Sequence, residues 1–179
     1  LTISVLLLVL GGCAFKGSLG PPVNQLSHAS SSDYYKVKEL IEKGVDVNKA
    51  VNGSYPLYRA LGANKTTIAI LLLKNGANPN QPELISGDYP MSWAVVNNST
   101  AQVKILLENG ADPNICDNEG KSALFYIVND SDEELINIFK DFGANFDIVD
   151  NEGRTIFHYA AKNWSDIIEN ADAYGINIS

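Results

Sequence analysis

Glycine recurs in this chain at an interval that leaves few folds open. Gly44, Gly76, Gly110, Gly143 and Gly175 are spaced so evenly that one step barely differs from the next. Four of them sit in versions of one phrase. Asn75 to Asn80 reads Asn-Gly-Ala-Asn-Pro-Asn, and Asn109 to Asn114 reads Asn-Gly-Ala-Asp-Pro-Asn. Lys43 to Asn48 and Phe142 to Asp147 are looser copies, Lys-Gly-Val-Asp-Val-Asn and Phe-Gly-Ala-Asn-Phe-Asp. A period of roughly 33 residues implies stacked units, none of which can bury an apolar face alone. Such stacks hold other proteins, so binding is expected before chemistry.

A second ladder runs in phase with the first. Gly53, Gly87, Gly120 and Gly153 recur at the same period, each followed by a helix start. The starts are Ser54-Tyr55-Pro56-Leu57, Asp88-Tyr89-Pro90-Met91, Lys121-Ser122-Ala123-Leu124 and Arg154-Thr155-Ile156-Phe157-His158. Proline suits the first helical position, where an N–H has no partner to lose. Ser122 and Thr155 are expected to cap orphan N–H groups, whereas Tyr55 and Tyr89 cannot. Second helices are predicted from apolar periodicity at Val37, Leu40 and Ile41; Ile68, Leu71, Leu72 and Leu73; Val103, Leu106 and Leu107; and Leu135, Ile138 and Phe139. The glycine after each suits a left-handed helix stop, with Asn75 and Asn109 just before it.

These phrases resemble the ankyrin repeat, whose signature is Thr-Pro-Leu-His-x-Ala, a Leu-Leu helix and Gly-Ala-Asp. Thr155 to Ala160 comes nearest, while Ile127 stands where Ala60, Ala94 and Ala160 stand in the other copies. The resemblance implies an all-α solenoid of four to five helix-turn-helix units with β-hairpin-like fingers, over roughly Asn24 to Ser179. The units are 24–48, 49–80, 81–114, 115–147 and 148–179. The first is degenerate: counting back from Gly44 by the separation of Ala160 and Gly175 lands on Ala29, with Asn24 as cap. The last carries Asp166, Glu169, Asn170 and Asp172 among few apolar residues, as a solvent-facing end requires. The family serves unrelated purposes, so the resemblance says little about function.

Residues Leu1 to Leu10 are uncharged and mostly apolar, and Gly11-Gly12-Cys13 comes next. The run is too short to span a bilayer and fits the apolar core of a secretory signal. Leu10-Gly11-Gly12-Cys13 resembles a bacterial lipobox, which implies cleavage of residues 1–12 and lipidation of Cys13. The basic residues such a leader needs are expected upstream of Leu1. The competing reading is an ordinary signal or a buried first helix with an incidental cysteine. Residues 13–23, with Gly17, Gly20, Pro21 and Pro22, read as a flexible tether. Its reach is on the order of 15–20 Å. The implied location is the periplasm, lipid-anchored, with the outer membrane favoured because Ala14 rather than Asp follows the cysteine.

The net charge of −8 lies entirely beyond the leader. It argues against nucleic acid or anionic lipid as partners and favours a protein with a basic surface. Cys116 is left as a single thiol, read as a small finger residue, so no disulfide framework is expected. His28 and His158 are the only histidines, and no Cys/His pair has metal-ligand spacing. No phosphate loop or serine elbow is visible. The acidic run Asp130 to Glu134 is read as a turn and a favourable helix N-terminus. No enzyme activity, metal or cofactor is expected.

By the resemblance, partners dock on a concave face built from fingers and first helices. One position down the stack gives Arg59, Trp93, Tyr126 and Tyr159, types enriched among binding hot spots. With repeats on the order of 10 Å apart, that column is about 30 Å long. Packing against the next repeat is the alternative role. The finger after Asn80 is one residue longer than the next two, and its Glu83-Leu84-Ile85 includes two aliphatics. Exposed aliphatics would mark a site there, unless they fold back on their neighbours. Bacterial ankyrin lipoproteins resemble immunity proteins against secreted toxins, including type VI phospholipase effectors. The expected function is thus occlusion of a cognate toxin by a chain that is monomeric when unbound. The alternative is an envelope scaffold that positions a periplasmic enzyme or assembly.

Overall fold

The computed structural model describes residues 26–50, 53–127 and 133–160, so the leader, Cys13, the tether, Asp130 and residues 161–179 lie outside it. The chain divides into two compact units, Leu1–Asn78 with Glu83–Ile85, and Pro79–Pro82 with Ser86–Ser179. Helix α1 (Leu26–Glu42), α2 (Pro56–Gly62) and α3 (Thr66–Lys74) belong to the first. Helices α4 (Pro90–Val96), α5 (Thr100–Glu108), α6 (Leu124–Ile127), α7 (Glu133–Asp141) and α8 (Ile156–Ala160) belong to the second. Among the described residues there is no strand. The expected finger hairpins reduce to single antiparallel bridges, Cys116 with Ser122 and Val149 with Thr155. The class is the expected all-α one.

Within each unit the apolar periodicity becomes core. Helix α3 packs on α2 and on α1, and Ile68, Leu72 and Leu73 are buried together with Leu57, Ala60 and Val37. In the second unit α4 packs on α5 and α6, and α7 packs on α5 and α6. There Val103, Leu106, Leu135 and Phe139 are almost wholly buried. Ala60 and Ala94 are fully buried, and Ile127, which replaces the small residue, is buried as well.

The second helices all close in the same way. After α3, the Gly76 N–H donates to Leu73 O at 3.0 Å and the Ala77 N–H to Leu72 O at 3.0 Å, the paired bonds of a Schellman stop. This places Gly76 at φ +86°, a conformation that penalises any Cβ even though a Cβ there would meet open space. The first helices α2 and α4 stop with asparagine instead. Asn64 and Asn98 take φ +53° and +49°, and their N–H groups donate to Leu61 O and Val95 O. Asparagine tolerates the left-handed region better than most residues, so it substitutes for glycine.

The first unit differs from expectation. One continuous 17-residue helix, α1, stands where a helix, a turn and a helix were predicted. The stretch from Ala29 to Gly44 is one residue shorter than that from Ala60 to Gly76 or from Ala94 to Gly110. Counted from Ala29, Asp33 also occupies the register in which Asn64 and Asn98 turn the chain. With neither the residue nor the length for a turn, the helix runs on. Asp33 instead accepts from Lys65 Nζ at 2.6 Å, fastening α1 to the head of α3.

The repeated phrase also fastens one repeat to the next. Asn48 Nδ2 donates to Gly76 O at 2.7 Å, and its Oδ1 accepts from the Asn78 N–H at 2.8 Å. Asn80 does the same to Gly110 O (3.0 Å) and the Asp112 N–H (2.8 Å). Asn114 does it to Gly143 O (3.2 Å) and the Asn145 N–H (2.6 Å). Only a carboxamide offers a donor and an acceptor side by side for this clip. Asn114→Ala should lose both bonds, costing about 1–2 kcal/mol and several degrees of melting temperature. Asn114→Asp should lose less, because it keeps the acceptor, and thermal melts by circular dichroism would rank the two.

Candidate interaction surface

Two finger tips of the second unit carry nearly the same sequence, Asp117-Asn118-Glu119-Gly120-Lys121 and Asp150-Asn151-Glu152-Gly153-Arg154. In each, one carboxylate organises the turn. Asp117 Oδ1 accepts from the N–H groups of Glu119 (2.8 Å) and Lys121 (3.0 Å), while the Asp117 N–H donates to Lys121 O at 2.9 Å. Asp150 repeats these bonds to Glu152 and Arg154, each at 2.9 Å. Neighbouring tips are tied directly, the Asn151 N–H donating to Glu119 O at 2.9 Å and Asn151 Nδ2 to Asn118 O at 2.9 Å. Gly120 is required twice over, since its φ is +78° and a Cβ would lie 2.8 Å from Asn151 Oδ1 and 3.0 Å from its nitrogen.

The tyrosines of the predicted column buttress these tips. The Tyr126 hydroxyl donates to Asp117 Oδ2 at 2.7 Å, and the Tyr159 hydroxyl donates to Asp150 Oδ2 at 2.6 Å. Burial, then the Asp117 bond and nearby carboxylates, push the Tyr126 hydroxyl well above its ordinary value. The bond to Asp150, with burial, raises Tyr159. At the second tip Arg154 Nε donates to Asp150 Oδ2 at 2.9 Å, and its Nη1 lies 2.7 Å from Glu152. The Arg154 guanidinium carbon stands 4.8 Å from the Tyr159 ring centre, and Lys121 Nζ stands 5.4 Å from it. Phe125 meets the same ring edge-on at 5.7 Å. Burial opposes ionisation of Asp150, but donors from Tyr159, Arg154 and Glu152 outweigh it and hold the carboxyl well below the usual carboxylate range.

Trp93, Tyr126 and Tyr159 lie on the successive first helices α4, α6 and α8, all half-buried. Arg59 lies on α2 in the other unit and is half-buried too. The two tyrosine hydroxyls are thus engaged by their own repeats, and the Tyr159 ring is met by Arg154, Lys121 and Phe125 as well. Glu83 is buried, whereas Leu84 and Ile85 are 62% and 77% exposed. Ile85 nonetheless lies close over Gly53, whose hypothetical Cβ would fall 2.6 Å from Ile85 Cγ1.

Local details agree with the capping expectation at Tyr55 and Tyr89 and depart from it at Ser122. Tyr55 and Tyr89 make no cap bond, as expected, and proline follows each. The Ser122 hydroxyl does not cap; it is buried with no hydrogen-bond partner among the described residues. The Thr155 N–H and hydroxyl both approach His158 Nδ1 at 3.0 Å, so that nitrogen is an acceptor and the ring serves the helix start. The Cys116 thiol lies 3.4 Å from Asn114 O, and burial with Asp117 and Asp112 pushes it up, away from reactivity. Glu133 and Glu134 occupy the first turn of α7, where negative charge suits the helix dipole. No cluster of three metal-ligating side chains occurs among the described residues. No described helix is long and apolar enough to cross a membrane.

A family model for ankyrin repeats, three copies long, matches residues 26–117 and again 91–173. The chain belongs to the ankyrin-repeat family. No curated protein matches it. Ankyrin repeats are protein–protein interaction modules, typically without enzymatic activity, so the coarse function of this ankyrin protein is to bind another protein.

The buried Asp150 carboxylate gives this ankyrin protein an acid dependence whose sign is fixed. A carboxyl depressed on folding adds stability that is fully present above about pH 4 and is lost as pH falls toward its folded value. Asp150→Asn should therefore lower the melting temperature at pH 7 and flatten its decline between about pH 4 and pH 2. Melts across that range would check it, and an unchanged slope would assign the decline to other carboxylates.

Proposed function

We propose that this chain is a membrane-tethered inhibitor of the bacterial envelope, an immunity protein that occludes a secreted toxin carrying a basic surface. The observation that carries the reading is the charge of the finger edge in the second unit. Asp88, Asp112, Glu119, Asp147 and Glu152 are at least partly open to solvent there. The cations of those tips are already engaged, Lys121 by Glu119 and Arg154 by Asp150 and Glu152. An acidic edge with its own cations neutralised attracts basic protein surfaces and speeds their encounter at low salt. The apolar run ending in Leu10-Gly11-Gly12-Cys13 supports lipid anchoring at Cys13, at the membrane that an incoming phospholipase-type effector would attack. A partner face on Trp93, Tyr126 and Tyr159 supplies aromatic anchors of the kind that dominate interfaces. Exposed Leu84 and Ile85 add apolar contact within the first unit.

Deleting the gene should leave cells killed by their own parental strain in mixed culture, with survival restored by the intact chain and lost again with Cys13→Ser. Equal survival of the deletion strain would defeat the immunity reading and favour a scaffold that positions an envelope assembly. For binding itself, Leu84→Ser is the informative variant, because an exposed side chain can go with little effect on the melt. It should weaken capture of the co-purified basic partner by roughly tenfold while leaving the melting temperature within about 2 °C.

A further inference from the structure

The two finger tips follow one pattern a single repeat apart, with Asp117, Glu119, Lys121 and Tyr126 matching Asp150, Glu152, Arg154 and Tyr159. Their backbone turns and their Asp–Tyr bonds agree. They differ in one occupant. At the second tip a guanidinium fills the angle between carboxylate and ring, 2.9 Å from Asp150 Oδ2 and 4.8 Å from the Tyr159 ring centre. At the first tip the matching side chain, Lys121, turns away to Glu119 at 2.7 Å and toward the Tyr159 ring. Asp117 Oδ2 thus receives one donor, the Tyr126 hydroxyl, where Asp150 Oδ2 receives two. Among the described residues no cation stands over the Tyr126 ring.

Beside that open acceptor is a hollow of about 210 Å³, with Gly87, Asp88, Asp117, Asn118, Glu119 and Tyr126 in its lining. This is below the roughly 300–1,000 Å³ of small-molecule pockets and suits one side chain. Its ionisable lining is anionic, with Asp88 and Glu119 flanking Asp117. A planar fork of donors can meet a carboxylate oxygen and lie against an aromatic ring together, which a lysine ammonium does less well.

We infer that the Asp117–Tyr126 hollow is the seat for an arginine side chain of the protein partner, taken up in the manner in which Arg154 lies against Asp150 and Tyr159. This rests on the reading of the chain as a binder of basic proteins, and it names the residue type that the finger edge selects. A hollow of about 240 Å³ also lies at the second tip, but Arg154 is in its wall and Tyr159 is not, whereas at the first tip both Asp117 and the Tyr126 ring line the hollow.

Titrating the isotope-labelled full chain with the peptide acetyl-Gly-Arg-Gly-amide, followed by nuclear magnetic resonance, tests the seat directly. Saturable shifts should appear at Gly87, Asp88, Asn118 and the Tyr126 ring, with a dissociation constant on the order of 1–10 mM. The matching lysine peptide should bind roughly tenfold more weakly. Lys121→Arg should abolish the arginine response by closing the seat, and Arg154→Ala should open a second set of shifts at Tyr159. No saturable response at Tyr126, equal responses to the two peptides, or an undiminished response in Lys121→Arg would each overturn the inference. Any of these leaves protein capture by the chain to be judged separately, from the basic partner retained out of envelope extracts.

Discussion

The carboxamides of Asn48, Asn80 and Asn114 give the stack a directional constraint that apolar contact cannot supply. Apolar burial brings repeats together, but it is non-directional and sets no register. Asn48, Asn80 and Asn114 each reach forward to a glycine carbonyl and to an amide two residues on. Those two targets exist as a pair only because the glycine has stopped its helix in a left-handed turn and exposed both groups. The helix stop and the clip are therefore one device, and its two halves occur in the same short phrase. That is the physical reason the phrase repeats.

Fingers are held on a similar logic with charge added. A single aspartate closes each tip by accepting two backbone N–H groups, and a tyrosine from the following helix holds the carboxylate in place. The ring that anchors a tip is thereby also placed at its flank. A bonded hydroxyl does not by itself cover the π-face of its ring, and at Tyr159 that face is met by Arg154 and Lys121. The difference between Lys121 and Arg154 then decides whether the ring at each tip is covered from within.

Much of this was legible in the sequence. Helix order, the apolar faces from Val37 to Phe139 and the glycine stops follow from periodicity, because burial and positive φ leave few alternatives at those positions. The continuous helix α1 was not evident, as its missing turn depends on one absent residue and on Asp33 standing where asparagine turns the chain elsewhere. Nor was the service of Asn64 and Asn98 as helix stops, although each occupies the same register in its repeat. For the surface, periodicity could place Tyr126 and Tyr159 in one column but not reveal that their hydroxyls turn inward to Asp117 and Asp150. The shared Asp-Asn-Glu-Gly tips were the available signal. Ser122 shows the limit in the other direction: a residue suited to capping lies buried with its hydroxyl unused among the described residues.

One departure from the clip carries an asymmetry along the chain. Asp147 occupies the position held by Asn48, Asn80 and Asn114 in the earlier phrases. An ionised carboxylate accepts but cannot donate, so it can offer only half of the grip that its predecessors exert on the next unit. Register along the stack is therefore spelled in amide chemistry and not in charge: exchanging one nitrogen for oxygen in this side chain removes the donor while leaving its size almost unchanged.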